Sequence, residues 1–156
     1  MTQVATSALT YKTNLIKRII ATILDYSFIF LLTYLYIVLV GQDNEEGVKT
    51  VNGLLTLPIP IGWFIYFVVV EGFYGATLAH QGLNLKVVTI DGKEIEFTQA
   101  LKRHLLDPID ILLHGIPAII AIKNSDKHQR LRDMWAKTVV VEVKDKELNV
   151  LQATKA

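Results

Sequence analysis

Apolar residues gather in three long stretches of this chain, and the polar segments between them change character from loop to loop. From Ile19 to Val40, IIATILDYSFIFLLTYLYIVLV carries a single charge, Asp25. As a helix it is about 33 Å long, enough for a hydrocarbon core of roughly 30 Å. From Gly53 to Val70, GLLTLPIPIGWFIYFVVV carries no charge, and the run continues through Glu71 to Leu78. The core helix of a soluble protein keeps a polar stripe, which these runs lack. The pattern predicts transmembrane helices over 16–40 and 54–78. The first is too long for the apolar part of a signal peptide, roughly 7–15 residues. Tyr34, Tyr36, Trp63, Tyr66 and Tyr74 are the amphipathic aromatics that favour span ends or pack between helices.

The third stretch, Leu105 to Ile122, is weaker. It contains Asp107, Asp110 and His114 and is broken by Pro108 and by Gly115-Ile116-Pro117. Within a third helical element over 100–122, two arrangements stay open: a full crossing, and the favoured re-entrant hairpin that dips in and returns. Irregular backbone at membrane depth is tolerated where protein or water covers it.

Between the second and third stretches the period shifts to two. Leu85–Ile90, Asp91-Gly92 and Lys93–Thr98 read as a β-hairpin over 85–98, with Asp-Gly giving a type I′ turn. Its pairing places Val88, Ile90, Ile95 and Phe97 on one face. Residues 138–143 read as a third strand of the same antiparallel sheet.

Loop charge sets an orientation. Lys12, Lys17 and Arg18 precede the first apolar run, which begins at Ile19, without an acid, whereas the loop 41–52 carries Asp43, Glu45 and Glu46 against Lys49. Positive-inside places the N-terminal segment 1–15, the sheet and the tail 123–156 in the cytoplasm. The fold class is thus an α-helical membrane protein: two transmembrane helices, a broken or re-entrant third element, and a small cytoplasmic antiparallel β-sheet, in one domain spanning 1–156.

Composition narrows the functions. The 156 residues are 51% apolar with net charge +1, which excludes a disordered chain and a generally basic nucleic-acid binder. The absence of cysteine removes disulfides, thiol catalysis and Cys-type zinc sites. No nucleophile–base pair, phosphate loop or His metal-ligand spacing is visible, so neither enzyme nor cofactor nor metal is expected. The basic run Lys123 to Arg132 fits anionic lipid headgroups, in keeping with the bilayer as principal partner.

Candidate chemistry lies with the ionisable groups in apolar surroundings, where each is costly. Arg18 and Asp25 share a face of the first helix, and Glu71 lies near the inner end of the second. Arg103, Asp107, Asp110 and His114 fall on one helical stripe, provided Pro108 does not restart the helix. Two readings follow. The groups form a cluster that binds a cation or moves protons, or they are polar glue in which Arg18 and Arg103 neutralise Asp25, Asp110 or Glu71. Gly72-x-x-Gly75 marks a close-packing spot on the second helix.

These motifs resemble the RDD family of small membrane proteins, over about 12–143. Arg18 looks like the family arginine and Asp25 like its first aspartate, with Asp110 or Asp133 as the second. Glu71 with Gly75-Ala-Thr-Leu78, Leu85 to Gly92, Ala100 to Asp110, and Gln129 to Asp133 with Ala136 to Val140 are similar to its further segments. The chain has Ala79-His80 where the family usually has Gly-Lys, and Arg132 and Lys137 where it has glycines. The resemblance implies a bacterial inner-membrane protein that handles transport of an ion or small ligand; with only two clear spans one copy can hardly enclose a path, so it is expected to work as a homo-oligomer. The alternative is an accessory subunit of a larger membrane complex.

Overall fold

The computed structural model describes residues 14–111 and 116–143. Helix α1, Leu15–Val40, is followed by a two-residue ladder between β1, Gln42–Asp43, and β2, Lys49–Thr50. That ladder was not expected in the acidic loop. Asn44 makes it possible, its side-chain oxygen accepting the Glu46 and Val48 N–H groups, while Gly47 supplies a positive φ.

Helix α2, Gly53–Tyr74, opens with a 3₁₀ turn, takes Pro58 at its first α-helical position, and widens into a π-helix over Phe64–Val69. It ends at Gly75, whose φ of 70° is the left-handed conformation glycine adopts most easily. Helices α1 and α2 are both long and apolar enough to cross a membrane. Only 6% of the most apolar window of α1 and 17% of that of α2 are buried inside the protein. A soluble core helix would be mostly buried, so that alternative does not describe these two. Tyr66 packs internally, whereas Tyr34 and Tyr74 stay exposed.

Short elements follow: α3, Leu78–Gly82; β3, Leu85–Thr89; α4, Phe97–Leu105; α5, Asp107–Ile111; α6, Ile116–Asn124; α7, Leu131–Trp135; and β4, Thr138–Glu142. Strands β3 and β4 pair antiparallel from Leu85↔Glu142 to Thr89↔Thr138. Leu85, Val87 and Val140 on one face join Ala21 of α1 and Val68 of α2 in the main core. Val88, Val139, Val141 and Val143 form a second cluster. Both faces are apolar, so β4 reads as a run of valines rather than an alternation.

The three-stranded sheet is corrected to two strands. The turn lies where Asp-Gly predicts it, but among the described residues only Gly92 of that pair has positive φ. Gly92 N–H donates to Thr89 O at 2.9 Å, the geometry of a type I turn followed by a left-handed residue. The return segment makes one bridge, Val88↔Glu94. It then yields to α4, whose start is fixed by the Glu96 N–H donating to Gln99 Oε1 at 3.0 Å. Ile95 is buried as expected, whereas Phe97 is exposed.

The expected stripe is also corrected. Helix α4 stops at Leu105 and α5 restarts at Asp107 with Pro108 in its first turn, so 103–114 is not one continuous helix. None of α4, α5 and α6 is long enough to cross a bilayer; α6, with nine residues, spans about 14 Å. Helices α5 and α6 pack against each other. The Ile90 N–H donates to Lys137 O at 3.1 Å, so the segment between them begins and ends at the same place.

Candidate functional site

On α1, Arg18, Ala21 and Asp25 are the buried residues. The i, i+3, i+7 spacing puts them on one face, turned towards the sheet and the short helices rather than outwards. Around that face the fold gathers four buried carboxylates and four buried arginines, two centres of different character.

Asp133 is the hub of the first. It is fully buried in the first turn of α7, where its Oδ2 accepts the Arg130 backbone N–H at 2.9 Å. The same oxygen accepts from Arg18 Nη2 at 2.5 Å, and Oδ1 accepts from Arg103 Nη1. Arg103 donates through Nε to Glu71 Oε1 at 2.7 Å and through Nη1 to Thr138 at 3.0 Å. One guanidinium therefore ties α2, α7 and β4 to α4. Gly72 permits the approach: a Cβ there would lie 3.3 Å from the Phe97 ring and 3.7 Å from Ala100 Cβ.

The chain of charges continues through His104. Its Nδ1 lies 2.6 Å from Asp107 Oδ2, and its Nε2 stands 3.3 Å from Glu71 Oε1, an electrostatic contact rather than an aligned hydrogen bond. Asp107 accepts from Arg132 Nη1 and, at 3.1 Å, from the Tyr26 hydroxyl. Burial works to lower the His104 pKa, but Glu71 and Asp107 outweigh it and raise it. Burial works to raise Asp107, yet Arg132 and His104 hold it down at about 2. Asp133 is driven well below the usual carboxylate range by Arg103, Arg18 and Arg132 despite its burial. Arg130 reaches back to Thr22 Oγ1 and Arg18 O, both at 3.3 Å. Burial, then repulsion from Arg18 and Arg132, brings its pKa down to about 9.

Asp25 forms the second centre. Among the described residues it has no arginine partner. Its Oδ1 accepts from the Tyr66 hydroxyl at 2.6 Å and the Ala79 N–H at 3.1 Å; its Oδ2 accepts from the Thr77 hydroxyl at 2.6 Å and faces His80 Nδ1 at 2.8 Å. The widened turn of α2 carries Tyr66, and the cap of α3 carries Thr77. Four donors occupy the lone pairs that a cation would need. Burial pushes the His80 pKa down, with Arg132 and Arg130 adding to it, and these outweigh the pull of Asp25.

Of the residues singled out from sequence, Arg18, Glu71, Arg103, Asp107 and Asp133 are brought together in one network, and Asp25 stands beside it. Arg103 does neutralise Glu71, but Arg18 pairs with Asp133 rather than Asp25. The Asp110 side chain and His114 lie outside the described residues. The sequence reading missed Arg130, Arg132, His80 and His104. Arg130 and Arg132, assigned above to lipid headgroups, are 6% and 5% exposed.

The model of the RDD family matches residues 12–137. No curated protein and no solved structure matches the chain.

Proposed function

The chain belongs to the RDD family, and from that premise we propose that it is a small integral membrane protein whose buried charges act as structural fasteners. On this reading α1 and α2 span the bilayer, and the β3–β4 sheet with its short helices forms a cap at their cytoplasmic end. The protein serves as an accessory subunit, docking on a larger membrane complex through its apolar helix faces. The observation that carries this reading is the pairing itself: Glu71, Asp107 and Asp133 are each held by an arginine. Charges so neutralised join helices to one another, which supports a structural role for them. Lys12 before α1 and Lys17 in its first turn, against the acidic loop 41–52, support a cytoplasmic N-terminus.

Transport through an oligomer is the second reading, and Asp25 is the observation favouring it, as a buried carboxylate with no arginine. The experiment is reconstitution of the purified chain in vesicles with measured sodium, potassium and proton flux. The fastener reading expects no flux above that of empty vesicles, and an Asp25→Asn variant that loses folded yield. Flux that Asp25→Asn abolishes while assembly stays intact would establish transport instead.

A further inference from the structure

Between the two centres lies a cavity of about 10 Å³, lined by Asp25 and Glu71 among other residues and also by His80 and His104. That is room for about one water molecule, and a buried water needs two to four polar partners. His80 is 4% exposed. Its Nδ1 faces a carboxylate oxygen at 2.8 Å, so the ring proton resides on Nδ1. Its Nε2 is then a bare lone pair, buried and without a partner among the described residues. A buried acceptor left unpaired costs about 1–3 kcal/mol, which a single donor in the cavity removes.

We propose that this cavity is a binding site for one water molecule, which donates to Nε2 of His80 and to the Glu71 carboxylate. The water joins the Asp25 cluster to the Glu71–His104–Asp107 chain, and the two centres become one hydrogen-bonded system. A cation does not fit: Asp25 already accepts from four donors, and Glu71 is held by Arg103. Arg132, on α7, lines the same space, and its charge disfavours a cation there.

His80 is also where acid reaches the buried system. The groups around it are Asp25 from α1, Glu71 from α2, His104 from α4, and Arg130 and Arg132 at the start of α7. His104 has a carboxylate against each ring nitrogen, Asp107 at Nδ1 and Glu71 at Nε2, which favours its protonated form already at higher pH; His80 has a carboxylate at Nδ1 alone, so its Nε2 takes the next proton. Acidification therefore places its proton on His80 Nε2 and converts the Asp25–His80 contact into an ion pair. The water site forms whether or not the protein transports anything.

The test is water-edited solid-state NMR on the full chain in lipid bilayers, with nitrogen-15 in the histidines. Expected at pH 7 is a neutral His80 with its proton on Nδ1, its bare Nε2 receiving magnetisation from water within milliseconds. His80→Asn keeps a side-chain N–H for Asp25 but has no counterpart of Nε2, so the signal disappears. The resonance is assigned independently in the wild-type protein by its through-space contact with the Thr77 side chain, which keeps the test decisive if the variant fails to fold. A bare Nε2 that receives no water magnetisation overturns the proposal, and so does a ring proton found on Nε2.

Discussion

Arg18 and Asp133 lie 115 positions apart in the sequence and meet at 2.5 Å, each fully enclosed by protein. Arg18 also donates to the His128 carbonyl at 2.6 Å, so its guanidinium fastens the segment before α7 as well as α7 itself. Asp133→Ala leaves both Arg18 and Arg103 without a carboxylate they share. Breaking a buried pair in this way costs about 3–5 kcal/mol. The expected outcome is loss of the monodisperse folded protein in detergent, read by size-exclusion chromatography and thermal melting. Arg18→Lys is expected to be only partly tolerated, because an ammonium cannot reproduce the two-pronged contact. A wild-type melting temperature for Asp133→Ala would show that the pairing holds nothing together.

Half of this network is legible in the sequence, and the boundary has a physical cause. Arg18, Asp25 and Glu71 announce themselves because a charge inside an apolar run is expensive. Arg130 and Arg132 sit in a polar, basic run, where a charge is cheap and a solvated or headgroup-facing position is the default. Their partners are set by tertiary packing: Arg130 reaches Thr22 and the Arg18 carbonyl on α1, and Arg132 reaches Asp107 on α5. His80 was hidden for a related reason: its partner Asp25 lies 55 positions away and leaves no local pattern, whereas the His104–Asp107 pair, three positions apart, was open to view and was passed over. The hairpin shows the opposite failure. Its turn was legible from Asp91-Gly92, but the helix-forming run Thr98 to Arg103 and the Gln99 cap outcompeted the return strand.

The two buried histidines give stability a dependence on pH with opposite signs. Glu71 and Asp107 raise His104 above its usual value near 6.5. Its contribution is fully present below that value and is lost as pH rises through the folded-state pKa. His80 is lowered instead, so its neutral form stabilises the fold above 6.5, and that contribution fades as pH falls towards the folded-state pKa. Thermal unfolding in detergent across this range is expected to show a decline on both sides. His104→Gln should flatten the alkaline side and His80→Asn the mildly acidic side. Unchanged pH profiles in both variants would remove the histidines from the account.

Two backbone positions allow a paired test. Gly75 has φ 70°, and a Cβ there would lie 2.9 Å from Lys86 Cε and 3.2 Å from the Val87 carbonyl oxygen. Lys137 also adopts the left-handed region, with φ 55°, and it occupies one of the positions where the sequence departs from a family glycine. A side chain in that conformation costs about 1–2 kcal/mol. Gly75→Ala is expected to lower the melting temperature by several degrees. Lys137→Gly is expected to raise it slightly, the relief of strain being offset in part by the greater freedom of glycine in the unfolded chain. A rise with Gly75→Ala, or a fall with Lys137→Gly, would contradict the strain argument.

The third apolar stretch is held at both ends. Strands β3 and β4 flank it and are hydrogen-bonded to each other along Leu85↔Glu142 to Thr89↔Thr138. A full crossing between residues 90 and 137 would place those strands on opposite faces of a membrane, which their pairing forbids. Arg103 and Asp133, one on each side of the stretch, are likewise bonded to each other. The re-entrant arrangement meets both constraints. Ser125 follows α6 and is half-buried. In this cysteine-free chain, Ser125→Cys carries the one thiol, so labelling reports its side directly. An impermeant maleimide is expected to leave it unmodified in intact cells and to modify it in inverted vesicles. Thr50→Cys in the acidic loop should show the reverse. Labelling of both thiols from the outside would break the shared sheet, because no arrangement with β3 and β4 paired and two crossings puts both positions on one face.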